Sequence, residues 1–171
     1  MTNITIEPAT PDDIPALYAV AAAMRDVHEA RYFERCLEEQ AAGNRIVLVA
    51  RDGAALAGYV QLNFRPTYTP FLRLSIPEVQ DLNVIPAARQ QGLGNKLVIA
   101  CEALVRERGL SDIGISVGLY PRYGAAQRLY VRRGYVPDGA GVCYDDTPVA
   151  PGEVRAVDDL LTLKLIKALT E

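Results

Sequence analysis

Arg89-Gln90-Gln91-Gly92-Leu93-Gly94-Asn95-Lys96 is the stretch of this chain best equipped for chemistry. It follows an apolar run ending at Val84-Ile85 and a turn marked by Pro86, and it opens a segment of helical spacing. Gly92 and Gly94 remove side chains where the backbone must approach a ligand or take a positive φ. The N–H groups from about Gln90 to Asn95 are the orphan donors of a helix N-terminus. Arg89 and Lys96 add positive charge, and a guanidinium grips phosphate oxygens in a bidentate way. The chemistry is anion binding, with a phosphate as the natural occupant. The single histidine, His28, has a reference pKa of about 6.5 and is a tempting base. It falls at the end of the first helix, where an exposed imidazolium is favoured on electrostatic grounds alone. Cys36, Cys101 and Cys143 have no adjacent histidine and form no C-x-x-C pair. They read as reduced, buried thiols of a cytoplasmic protein, and no metal-ligand set is present in the sequence.

The elements that must position these residues follow from periodicity. Ile4 and Ile6 alternate with polar residues as in a first strand. Thr10-Pro11-Asp12-Asp13 starts a helix that runs to about Met24 or His28, with Ile14, Leu17, Ala21 and Met24 on one face. Arg31 to Ala42 is a second helix stopped by Gly43. Arg45 to Arg51 and Leu56 to Leu62 are strands joined at Asp52-Gly53. Residues 63–77, with three prolines, form a long connection of the kind that is usually functional or mobile. Glu78 to Val84 is a strand, 93–108 a helix and 112–117 a strand, which together make a right-handed βαβ unit. Tyr123 to Arg132 is a fourth helix. Tyr135 to Pro137 and Val142 to Tyr144 form an extended or hairpin-like segment, residues 145–159 a loop, and Leu160 to Leu165 a last strand.

Three phosphate sites compete for the glycine loop. A P-loop needs another glycine spacing and a hydroxyl after Lys96, which the sequence lacks. A dinucleotide fingerprint needs a third glycine where Leu97 stands, near the start of an open sheet. Arg89-x-x-Gly92-x-Gly94 directly after a strand resembles the acyl-CoA loop of the GNAT N-acetyltransferases. Ala126-x-x-Leu129-Tyr130-x-x-x-Gly134-Tyr135 resembles that family's later motif, and the order of elements matches over nearly the whole chain. The asparagine usual shortly before the later motif is replaced here by Tyr123-Gly124.

The resemblance implies an α/β fold of the mixed α+β kind, the GNAT acyl-CoA N-acyltransferase fold. Its central sheet is mixed and mostly antiparallel, with about seven strands and helices on both faces, in one domain over residues 1–171. The implied activity is N-acetyl transfer from acetyl-CoA to a primary amine by direct attack in a ternary complex. The implied coenzyme site comprises Leu82, Asn83, Val84, Arg89, Gln90, Gln91, Gly92, Leu93, Gly94, Asn95, Lys96 and Tyr130. The central strand would part from the next, opening a V whose other arm carries Ser116, Gly118 and Tyr120. The Val84 N–H would bond the thioester carbonyl more strongly as that oxygen becomes an oxyanion.

Tyr130, implied to face the coenzyme sulfur, is the candidate acid, and Glu78, at the start of the central strand, the candidate base. An ammonium of pKa about 10.4 must lose a proton before attack, and a thiolate whose acid has a pKa of about 8.5 leaves more readily beside an acid. By period-2 alternation Glu78, Gln80, Leu82 and Val84 share one face, and Asp81, the runner-up base, faces the other way. The alternatives are a packing role for Tyr130 and a water relay in place of Glu78. Acceptor contacts are expected from His28, Tyr32, Phe33, Tyr68, Arg73, Tyr120 and Tyr123. Arginines near this mouth hint at an acceptor bearing a carboxylate or phosphate.

Composition limits the partners. The chain has 171 residues, a net charge of −3 and half its residues apolar. That disfavours nucleic acid bound through a large basic surface. No apolar run reaches the roughly 20 residues of a membrane span. A small amine is the expected acceptor, with a protein N-terminus or lysine as the alternative and a homodimer unopposed. A catalytically silent acyl-CoA sensor on the same fold is the rival from another class.

Overall fold

A computed structural model describes residues 4–89 and 91–169. The elements are β1 (Ile4–Pro8), α1 (Ile14–Ala23), α2 (Tyr32–Ala41), β2 (Arg45–Asp52), β3 (Ala55–Asn63), α3 (Thr69–Arg73) and β4 (Glu78–Val84). They continue with α4 (Leu93–Glu107), β5 (Asp112–Gly118), α5 (Gly124–Arg132), β6 (Val136–Tyr144), β7 (Thr147–Pro148) and β8 (Leu161–Ala168). The strands form a mostly antiparallel sheet in the order β1-β2-β3-β4-β5-β8-β6-β7, flanked by helices.

Among the described residues there are eight strands, one more than the sequence suggests. The addition is β7, two residues inside the expected 145–159 loop, with Tyr144 opposite Thr147. Asp145 and Asp146 turn the chain there with φ of 48° and 58°, the left-handed pair that a type I′ hairpin requires. Asp-Asp is a poor version of the Asn-Gly signal, so the hairpin is hidden in the sequence.

Residues up to Phe64 together with Val79–Leu104 form one compact unit. Helix α1 is started as expected, by a proline-led 3-10 turn at Pro11–Asp13. The Asp13 carboxylate accepts the Thr10 N–H at 2.8 Å and reaches Arg51 Nη2 at 2.5 Å. The helix ends at Ala23, because Arg25 takes φ 56° and turns the chain aside. His28 therefore sits in the connection to α2, not at a helix end. Leu17, Val20 and Ala21 of α1 and Phe33 and Cys36 of α2 pack on Val47, Val49 and Tyr59 of β2 and β3. Burying a side chain such as Phe33 stabilises by about 1.5–3 kcal/mol. At Gly58 a Cβ would stand 2.5 Å from the Asn83 carbonyl oxygen, so β3 can lie this close to β4 only with glycine there.

Strand β4 carries a local reversal that alternation does not foresee. Asp81 has φ 49°. Asn63 Nδ2 donates to Gln80 Oε1 at 3.3 Å and Gln61 Nε2 donates to Asp81 Oδ2 at 2.9 Å. Gln61 and Asn63 are two apart on β3 and share a face. The neighbours Gln80 and Asp81 therefore point to the same side, as across a β-bulge. The expected face of Glu78, Gln80, Leu82 and Val84 is broken after Gln80, and Asp81 stands on the Gln80 side of the strand.

Arg65–Glu78 together with Val105 and the residues after it form the second unit. Strand β8 pairs antiparallel with β5 and with β6, the latter across a register shift between Pro137 and Val142. The Gly114 N–H donates to the Pro77 carbonyl at 2.8 Å. The 63–77 connection is less irregular than expected. It holds α3, opened by Thr69-Pro70, and buries Tyr68 and Phe71 with Ile76 and Cys143. No helix among the described residues is long and apolar enough to cross a membrane.

Candidate active site

The glycine loop has the geometry of an anion site. Gly92 takes φ +72°, and nothing lies within 4 Å of where its Cβ would be. The Lys96 N–H donates to the Gly92 carbonyl at 3.1 Å. The amides of Leu93 and Gly94 precede that bond, in the first turn, where helix amides have no intrahelical acceptor. The Leu93 side chain anchors the turn in the core, while Gln91 and Lys96 are exposed. Arg89 is exposed, with Nε on the Val84 carbonyl at 3.3 Å and Nη2 on Met24 Sδ at 3.3 Å. An open loop, first-turn amides and flanking cations fit a pyrophosphate. Gln90 lies outside the described residues.

Beside the loop, β4 faces a polar network within the same unit. The Tyr32 hydroxyl donates to Asp81 Oδ2, the atom that also accepts from Gln61. The His28 ring stacks flat on Tyr32 at 3.9 Å, with Nε2 3.6 Å from Asp26 and 3.9 Å from Asp81. Asn83 Nδ2 donates to Asp26 at 3.0 Å and to the Tyr59 hydroxyl at 2.9 Å. The Asn83 side chain is thus turned into the protein, and only its backbone can serve a coenzyme. Burial pushes the Asp81 carboxyl above the usual carboxylate range; the Tyr32 bond and the nearby His28 and Arg45 oppose that shift without cancelling it. Burial and the Asp81 charge push Tyr32 up as well.

Glu78, the candidate base, lies in the second unit and is 1% exposed. Lys164 Nζ donates to its Oε1 at 2.8 Å, to Ser116 Oγ at 2.6 Å and to the Asp146 carboxylate. The Ser116 hydroxyl donates to the same Glu78 oxygen at 2.6 Å. Burial would lower the Lys164 ammonium, but the Glu78 charge and the Asp146 bond outweigh it and hold the group above its ordinary value.

The remaining expected residues divide. Tyr130 is buried on α5, its ring 6.1 Å from that of Tyr135. Tyr120 and Tyr123 come together on Asp159 Oδ1, at 2.5 and 2.7 Å, and together these bonds hold the Asp159 carboxyl below the usual range. Arg73 lines a cavity of about 460 Å³ with Thr69, Pro70, Leu74, Asp146, Thr147 and Pro148. Two expectations are corrected. Phe33 is wholly buried between α1, α2 and β3, and Tyr68 is wholly buried with its hydroxyl on Asp138 at 2.7 Å. Neither presents a surface to an acceptor. Asp26, Gln61, Asp146 and Lys164 were missed. Lys164 had a signal, since a lysine inside the apolar strand Leu161–Ala168 needs a charged partner.

The acetyltransferase (GNAT) family model matches residues 14–135. The chain belongs to this family. It is 28% identical over 99 residues to the uncharacterized N-acetyltransferase YhfO of Bacillus subtilis, covering 58% of this chain and 64% of that one. It is 36% identical over 67 residues to the aminoglycoside N(6')-acetyltransferase type 1 of Klebsiella aerogenes, covering 39% of this chain and 43% of that one. The match thus spans less than two thirds of either curated relative. Among solved structures, YncA of Salmonella typhimurium, with its cofactor acetyl-CoA, superposes with TM-score 0.72 at 20% identity, covering 99% of this chain and 96% of the other. Likeness at that identity bears on the fold alone.

Proposed function

We propose that this chain transfers the acetyl group of acetyl-CoA to a primary amine by direct attack, and that the acceptor is a small molecule. The observation that carries this is the loop at 89–96, with Gly92 at φ +72° leading into the first turn of α4 and Arg89 exposed beside it. When bound, acetyl-CoA supplies the activated carbonyl, its pyrophosphate held by the Gly92–Asn95 backbone and Arg89. The Val84 N–H stabilises the oxyanion. Tyr130 donates the proton that the departing thiolate takes up.

The acceptor carries positive charge in this reading. Asp26 and Asp81 are part-exposed carboxylates set around His28, and they favour ammonium groups over the carboxylate or phosphate hinted at by the arginines. The aminoglycoside-acetylating relative supports the same class. Three free, buried cysteines support work in the cytoplasm.

A thermal-shift comparison tests the donor. Acetyl-CoA at a hundred times its Kd stabilises by about 2.7 kcal/mol, or about 5–10 °C for a chain of this size. ATP and NAD should give no shift. A shift with ATP or NAD and none with acetyl-CoA would remove the proposal.

A further inference from the structure

Asp81 combines three features on the central strand. It takes φ 49° inside β4, and a left-handed backbone at a non-glycine within a strand is a strain of the kind that gathers at functional sites. Its Oδ2 is tied from two elements, by the Tyr32 hydroxyl of α2 and by Gln61 Nε2 of β3 at 2.9 Å. Its Oδ1 has no hydrogen-bond partner among the described residues, and it is not one of their buried, unpartnered polar atoms, so it meets solvent. The side chain is 26% exposed, while the Gln61 that holds it is wholly buried. One oxygen is fixed and the other is open. The charged and titratable groups around this carboxylate are Asp26 and His28 from the connection before α2, Tyr32 and Cys36 from α2, Arg45 from β2 and Tyr59 from β3. All of them belong, with Val84 and the glycine loop, to one compact unit. Asp81 stands three positions before Val84 on β4, roughly 10 Å along a strand, an interval that a reacting amine and one water fill.

We propose that Asp81 is the catalytic base, with Tyr32 and Gln61 as its positioning residues. The inference rests on the acetyl-transfer reading. The amine nitrogen forms its bond to the thioester carbonyl carbon, and its N–H proton moves to Asp81 Oδ1, directly or through one water. The C–S bond breaks and its electron pair leaves on the coenzyme sulfur. The neutral Asp81 gives its proton to water before the next turnover. Burial holds this carboxyl above the usual carboxylate range, closer to the pH at which a base is both ionised and ready to take a proton.

The test uses the full chain and whichever of an aminoglycoside, a polyamine, a free amino acid or an alanyl peptide the wild type acetylates fastest. In the free protein the Asp81 carboxyl, followed by carbon NMR, should titrate above the ordinary carboxylate range, and kcat/KM should fall as pH drops through the same value. Asparagine tolerates the left-handed backbone, so Asp81→Asn keeps the strand. This variant should lower kcat at least tenfold and remove that fall, with acetyl-CoA affinity by calorimetry within a factor of about three of wild type. Tyr32→Phe keeps the ring but loses a donor that favours the ionised carboxyl, so the NMR midpoint and the fall in rate should both move to higher pH. A kcat within about twofold of wild type in Asp81→Asn, with only the KM for the amine raised, would overturn the proposal, because Asp81 would then merely anchor the ammonium. So would a fall with pH that survives in Asp81→Asn, or one that disappears in His28→Asn instead. If the wild type acetylates none of the four amines, the transfer reading falls and the base with it.

Discussion

Tyr130 carries the most exposed claim at the scale of single residues. A buried tyrosine can serve as an acid or simply fill space, and removing one hydroxyl separates the two. Tyr130→Phe should lower kcat at least tenfold while leaving the KM for acetyl-CoA within a factor of about three, since the ring and its packing stay. Turnover near that of wild type would leave Tyr130 a packing residue. At this scale the sequence was legible where a residue type fixes backbone geometry, as at Gly92, and illegible where burial decides. Phe33 and Tyr68 look like acceptor contacts in a string of letters, because nothing local shows that helices and strands close over them. Glu78 was picked out as the candidate base, but its partners Ser116 and Lys164 lie 38 and 86 positions away, and no spacing rule connects them.

At the scale of elements, the turn into α4 and the start of α1 each make a prediction. Gly92→Ala meets no atom, so its cost is the left-handed backbone alone, about 1–2 kcal/mol. Acetyl-CoA affinity measured by calorimetry should fall by a factor of about 5–30. Unchanged affinity would mean that this conformation does not serve the coenzyme. At α1, bonds from Thr10 and Arg51 outweigh burial, and the Asp13 carboxyl is held below its ordinary value. A lowered carboxyl contributes stability in full above its unfolded value of about 3.9 and loses it as pH falls through the folded value. Asp13→Asn should therefore be less stable than wild type at pH 7, by about 1 kcal/mol for the charge lost from the bonds to Thr10 and Arg51, and should show a shallower fall in Tm below about pH 4. An identical acid slope in the two proteins would exclude this contribution. Helix starts and the βαβ core were readable because proline, glycine and capping acids mark them. The bulge at Asp81 was not. A left-handed φ at a non-glycine is imposed by the contacts to Gln61 and Tyr32, and alternation assumes it away.

At the scale of the whole molecule, the order of strands and helices was legible because each element declares its period, and the family match over residues 14–135 agrees with that order. The acceptor was not, because it depends on which side chains distant segments bring to one place, as with Asp26, His28 and Asp81. The central claim is that acetyl-CoA gives up its acetyl group to an amine here. Its most direct test is continuous measurement of thiol release from acetyl-CoA, with and without an aminoglycoside, a polyamine, a free amino acid or an alanyl peptide, alongside detection of the acetylated product. The account predicts release that depends on amine and saturates, fastest with a cationic small amine and matched mole for mole by product. Tight binding of acetyl-CoA with no amine-dependent release from any acceptor would contradict it and leave a silent acyl-CoA sensor.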